Sequence, residues 1–286
     1  MPQRGAGSES SRASGKESES AVILRRVSPT ARKGLVLAAS LSVGLCRPGF
    51  SEDALRLFHK MQEALGGAEK LAAVRDFEQT VRAESFDAEG RSMGDVRKRT
   101  RWISPSTVRL DQVGPGSTYV LYFDGKSGWE ILPGAQEAVE LTGGELKFAQ
   151  EYVRGFFLRT WLADRDPRYR ITSPAERVVR ISDGDPAHQL DVTLDPTSWL
   201  PIKETSMTLS DPAHPTSRDS VTSEWVNVGG LRFPSRFTVF RSGVRVAEAT
   251  GIDETRVNSG LKVEDLSAKP PDRKPVFARP APPRER

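Results

Sequence analysis

Between residues 188 and 255 the chain alternates apolar and polar side chains and turns on Gly, Asp, Asn and Ser, with hardly a helical period in it. Leu190, Val192 and Leu194 alternate with Gln189, Asp191, Thr193 and Asp195, the period of two of a half-buried strand. Asp195, Pro196, Thr197 and Ser198 read as a turn, and strands are predicted over 199–209, 221–228, 231–240 and 244–252. Gly229-Gly230 and Ser242-Gly243 fall where tight hairpins need positive φ angles, which these residue types adopt cheaply. An antiparallel meander is what such a stretch can become.

The charge of the whole chain misleads about the folded part. A formal net of +4 hides basic ends: residues 1–51 carry 8 Lys and Arg against 3 Asp and Glu, and residues 268–286 carry 6 against 2. Residues 52–267 therefore hold 28 basic and 33 acidic side chains, a net of −5. A nucleic-acid-binding surface would put its positive charge on the folded part, so no nucleic acid partner is expected. Residues 1–51 read as an extension plus export signal. Arg25, Arg26, Arg32 and Lys33 precede an eleven-residue apolar run at 35–45, and small residues follow. A run that short does not span a bilayer core of about 30 Å as a helix. The pattern predicts cleavage before Glu52 and a mature protein soluble in the periplasm. Cys46 is the single cysteine, which excludes an internal disulfide; Leu45 before it fits a lipid-attachment box poorly, so a membrane lipoprotein is the lesser reading. The Pro-rich basic stretch 268–286 reads as an unfolded tail, leaving 52–267 as one domain.

Within that domain an opening helix is expected, capped by Ser51, with Leu55, Phe58, Met61 and Leu65 as its apolar stripe and Gly66-Gly67 as its end. A short helical piece should follow around Leu71 and Val74. Strands are predicted over 77–86, 93–103, 107–113, 117–124 and 128–132, separated by Pro, Gly and Asp. One helix, 145–162, interrupts the β pattern. It carries Leu146, Ala149, Val153, Phe156 and Thr160 on one stripe and Phe148, Tyr152, Phe157 and Trp161 on another. A helix with aromatics on two sides must be sandwiched or must plug something. The fold class expected is α+β, mainly antiparallel β: a curved, incomplete β-barrel covered by two or three helical segments. Such a sheet wrapped on helices either encloses a greasy cavity or packs it full.

Residues suited to catalysis are few. His59, His188 and His214 stand at no metal-ligand spacing, and no GxSxG, P-loop or dinucleotide fingerprint occurs. No enzyme, metal or cofactor is expected. The cations Arg97, Lys98, Arg99 and Arg101 concentrate positive charge on one part of the sheet, with Arg109 on the next segment. They are candidates for contact with an anionic headgroup or an acidic partner, or else simply edge-protecting charges.

The order of these parts resembles the outer-membrane lipoprotein-sorting and carrier proteins, the LolA/LolB-like family. An export signal comes first, then the opening helix ending at Leu65-Gly66-Gly67. The stretches RWISPSTVRL at 101–110, YFDGKSGW at 122–129, Leu194-Asp195-Pro196 and WVNVGGLRFP at 225–234 follow in order. The resemblance spans roughly 52–257 and departs from the family in its N-terminal extension and basic tail. It implies a periplasmic half-barrel that carries a lipid, or the acyl chains of a lipoprotein, without covalent chemistry. Phe156, Phe157 and Trp161 on the lid helix, and Trp102, Trp129, Trp225 and Phe237 on the sheet, would line the cavity. The alternative is an envelope regulatory or interaction module of the same fold, with a protein partner and no lipid cargo.

Overall fold

The computed structural model describes residues 50–208 and 216–270. Residues 1–49 of the expected export segment, Cys46 among them, and residues 271–286 of the expected tail lie outside that range. Two antiparallel meanders build the fold. The first is β1 (Asp76–Phe86), β2 (Ser92–Ile103), β3 (Thr107–Gly114), β4 (Ser117–Phe123), β5 (Gly128–Ile131) and β6 (Val139–Glu140). The second is β7 (Arg170–Ala175), β8 (Val178–Ser182), β9 (Leu190–Leu194), β10 (Pro201–Thr208), β11 (Thr216–Val228), β12 (Leu231–Arg241) and β13 (Val244–Val257). β1 pairs with β13, which fuses the two into one open 13-stranded sheet with β6 and β7 at its edges. The mainly antiparallel α+β fold expected from the alternation is what forms.

Hairpin chemistry fixes the register. Gly229 and Gly230 sit at φ 62 and 79°, and Ser242 and Gly243 at 46 and 81°, the paired positive angles of two-residue turns matched to strand twist. The Asp195 carboxylate accepts the backbone N–H groups of Thr197 and Ser198 and closes the predicted turn.

Helix α1 (Phe50–Ala64) includes Ser51, which the sequence placed at its cap. Its buried stripe is Ala54, Phe58, Met61 and Leu65, spaced four, three and four; Leu55 falls one position off that stripe and is exposed. The C-terminus closes as a Schellman motif, with Gly67 N donating to Gln62 O at 2.8 Å and Gly66 N to Glu63 O at 3.0 Å. Gly66 also touches the β11–β12 turn: a Cβ there would stand 2.3 Å from Gly230 O. Arg232 N donates to Leu65 O, and together these contacts strap α1 to the sheet. Helix α2 (Ala68–Ala72) follows, burying Leu71.

The predicted helix over 145–162 is two helices, α3 (Gly143–Arg154) and α4 (Phe157–Thr160). Gly155 ends the first, and Phe156 takes an extended conformation (φ −65°, ψ 128°) that breaks the ladder. Topology explains where this segment goes. It connects β6 at one edge of the sheet to β7 at the other, so it must cross a face of the sheet. The same core cluster holds Leu121 and Phe123 of β4 and Val179 and Ile181 of β8. Nine strand spacings would separate those strands by roughly 43 Å in a flat sheet, far more than one helix layer bridges. The sheet therefore arches around α1, α3 and α4.

Helix α5 (Val263–Ser267), not anticipated from the sequence, packs on the opposite, convex face through fully buried Leu266.

Candidate ligand chamber and its rim

The space under the arch is lined by rings in contact. Trp102 of β2 stacks on Phe156 at 5.4 Å between centroids, and Phe156 meets Phe157 at 4.6 Å. Phe157 continues to Trp161 at 4.7 Å, and Trp161 to Trp225 of β11 at 6.3 Å. Phe77 and Phe233 close the floor, 5.2 Å apart, and Phe77 meets Phe157 edge-on at 5.2 Å. The strands put these rings together because Phe77 pairs with Trp102 in register, and directly opposed residues share a face. The break at Gly155–Phe156 lets both ring-bearing sides of the 143–162 segment face inward, which one straight helix could not do.

Five of the seven aromatic residues expected to line a chamber, Trp102, Phe156, Phe157, Trp161 and Trp225, thus meet in one cluster. Phe77 and Phe233 belong with them and are absent from that expectation; the alternation of Phe77 and Val81 with Glu78 and Thr80 was the available signal for Phe77. Trp129 and Phe237 are elsewhere. Trp129 lies on the convex face with Tyr122 and Leu266, because its neighbour Glu130 takes the inward position beside the Tyr119 hydroxyl. Phe237 packs with Val239, Val246 and Ala247 in a separate small cluster.

The expected cationic patch is divided between two faces. Arg97, Arg99 and Arg101 alternate with Lys98 along β2, so Lys98 points to the concave side, 5.6 Å from the Tyr152 ring. On the convex side Arg97 pairs with Asp253, Arg99 with Glu78 and Arg101 with Asp111. Asp111 also receives Arg109, which donates to the Leu266 and Ala268 carbonyls at the end of α5. This ladder ties β1, β2, β3, β13 and α5 together.

Besides Glu130, a second carboxyl group enters the chamber wall. Glu204 of β10 lies opposite Ser220 and beside the Trp161 indole N–H, which approaches it without reaching full hydrogen-bond geometry. Burial pushes the Glu204 pKa up, against the opposing pull of Arg218 and Trp161. Gln62 of α1 donates to Trp161 O and to Asp164 Oδ1, each at 2.9 Å, anchoring the end of α4.

At the rim, where α3 and α4 meet the strand loops, two clefts of about 290 and 140 Å³ open side by side. Arg159 and Tyr169 line both. The larger is floored by Phe123 and Val153 and the smaller by Trp102 and Leu158, all members of the chamber core. Arg168 holds the Asp166 carboxyl at about 2, chiefly through a side-chain hydrogen bond. Asp183 stays below its ordinary pKa: burial raises it, but the Asp185 amide, His188 and Arg154 outweigh that effect. Burial pushes the Tyr169 hydroxyl up. His188, which stands at no metal-ligand spacing in the sequence, is the partner of Asp183, at 3.1 Å. Among the described residues no group of three or more His, Cys, Asp or Glu could hold a metal ion, and no helix is long and apolar enough to cross a membrane.

No protein-family model matches the chain, and no curated protein matches it. Solved structures do. A domain described as that of an outer membrane lipoprotein-sorting protein, from Vibrio parahaemolyticus, superposes at a TM-score of 0.51 with 13% identity, covering 76% of this chain and 97% of that one. A LolA superfamily protein from Nitrosomonas europaea gives 0.49 and 12%, covering 76% and 97%. At such identities the likeness speaks for architecture alone: this chain has the open-sheet fold of the Vibrio lipoprotein-sorting domain, as its order of parts implied.

Proposed function

We propose that the protein is a non-enzymatic carrier in the periplasm that holds an acyl chain under the arch of its sheet. The observation that supports this reading is the continuous aromatic lining, three of whose seven rings come from one connecting segment. Phe156, Phe157 and Trp161 sit on the short α3–α4 segment, which lies outside the backbone ladder of the sheet. An acyl chain entering the chamber would take the place of these rings. Each buried CH₂ contributes about 0.8 kcal/mol, while displacing the plug exposes its own apolar surface. Apolar surface is exchanged for apolar surface, so the net affinity stays modest and cargo can leave again. Carriage asks for that balance; permanent storage does not. Export through the N-terminal signal and release to an envelope partner belong to the same proposal.

Incubation with a fluorescent fatty acid, followed by native mass spectrometry, tests it. The carrier reading expects a saturable one-to-one adduct and a lipid co-purifying from the native host. Repeated absence of both would sink it. The second reading, an envelope interaction module, draws on a different observation: the rings are in direct contact and fill the space between them. Under it, no lipid is taken up and replacing both Arg97 and Arg99 with Glu abolishes capture of a partner protein.

A further inference from the structure

We propose that the rim cleft centred on Arg159 binds a single phosphate-type oxyanion, supplied by the headgroup of the ligand whose chain enters the chamber beneath. The oxyanion site stands on the cleft alone; its assignment to a headgroup rests on the carrier reading. Three guanidinium groups, Arg154, Arg159 and Arg168, line the larger cleft. Two of them are already engaged. Arg168 grips Asp166 through Nε and Nη2, and Arg154 reaches Asp183 at 3.4 Å and contacts His188. Arg159 forms no ion pair among the described residues; it reaches Asp166 and Tyr169 only through longer-range electrostatics.

Charge and donors agree on what fits. Among the residues lining the two clefts, three guanidiniums against the carboxylates of Asp166 and Asp183 leave one positive charge, which one monoanion neutralises; Asp185, 3.6 Å from His188, lies outside that lining. A guanidinium offers five N–H donors, so Arg154 and Arg168 keep some free after their carboxylates are served. The half-buried Tyr169 lines both clefts, its hydroxyl donating to Arg154 O at 3.5 Å. Convergent guanidiniums in a concave, partly desolvated setting are the arrangement that recognises phosphate oxygens. Position gives the second half of the inference. The apolar floor of both clefts belongs to the chamber core, so an oxyanion beside Arg159 would sit directly over the site proposed for the chain. An amphiphile could then occupy both at once, head on Arg159 at the rim and tail in the space that the rings of α4 give up by turning aside while its backbone stays.

Three probes and two variants separate these claims: inorganic phosphate, dodecyl phosphate and dodecanol, the amphiphiles below their micelle concentrations, with Arg159→Gln and Arg159→Lys. Calorimetry should show wild type binding dodecyl phosphate roughly tenfold or more tighter than dodecanol, the scale of a charge-assisted hydrogen bond. Arg159→Gln should erase that preference while leaving dodecanol binding unchanged, and Arg159→Lys should keep most of it. Inorganic phosphate should shift the Arg159 side-chain NMR signal of the wild type. A preference that survives Arg159→Gln overturns the site, as does an unmoved Arg159 signal with dodecyl phosphate binding no tighter than dodecanol. If phosphate moves the signal but neither amphiphile binds, the oxyanion site holds for free phosphate, and both the headgroup assignment and the carrier reading fall.

Discussion

Asp111 is fully buried, and both Arg101 and Arg109 beside it are at least nine-tenths buried, with N–O distances of 2.6 and 3.0 Å. Removing one partner of a buried ion pair leaves an uncompensated charge, so Asp111→Ala should cost about 3–5 kcal/mol, read by urea unfolding. A loss below 1 kcal/mol would show that water reaches the pair. Glu204 makes a prediction of opposite sign. Its pKa is raised above the ordinary 4.5 by burial, so the folded state holds the proton more tightly than the unfolded chain does. That contribution to stability is fully present below pH 4.5 and is lost as pH rises through the folded pKa. Glu204→Gln should therefore gain stability over wild type as pH climbs from 4.5 to 8, and the two should converge below that range. Thermal melts across the range check it, and a variant that loses stability at pH 8 contradicts the burial argument. Neither residue stood out in the sequence. A carboxylate on a strand reads as solvated until the sheet's curvature and the packing of α5 decide which face it occupies.

At the scale of elements, stability should be uneven. β1 lies at the centre of the sheet, hydrogen-bonded on both sides, whereas α3 and α4 rest on ring packing, the Gln62 amide and the Arg154 contacts. Native-state hydrogen exchange should show the amides of 144–161 opening well before those of 77–83. Equal protection in both would mean that the plug opens only with global unfolding, which the exchange of plug for cargo does not allow. The strands were largely legible, because alternation and turn residues are local signals and their register follows from hairpin geometry. The plug was legible in outline: aromatics on two sides of 145–162 demanded burial on both, although the break at Gly155 was not foreseen. Trp129 was not placed correctly, since a four-residue strand carries too little alternation to say which face it turns outward. Helix α5 escaped notice because one buried leucine in five residues makes no period.

The described part of the molecule is an arch whose two edges, β6 and β7, are joined by the segment that fills it. That topology puts an apolar plug inside an aromatic wall, and the proposal is that cargo replaces the plug. Its most direct test is quenching of the chamber tryptophans by a brominated acyl chain. Trp129 lies on the convex face, and Trp199 packs against the chamber core under Lys60, at 4.0 Å, without joining any of its ring pairs. Replacing both with Phe leaves Trp102, Trp161 and Trp225 as the only emitters. Brominated stearate should quench that variant's fluorescence saturably, and well beyond any change that unbrominated stearate of equal affinity causes by moving Trp161, since bromine acts only at contact. Saturable binding of the brominated chain with the three tryptophans left bright would place the ligand outside the chamber and contradict the account.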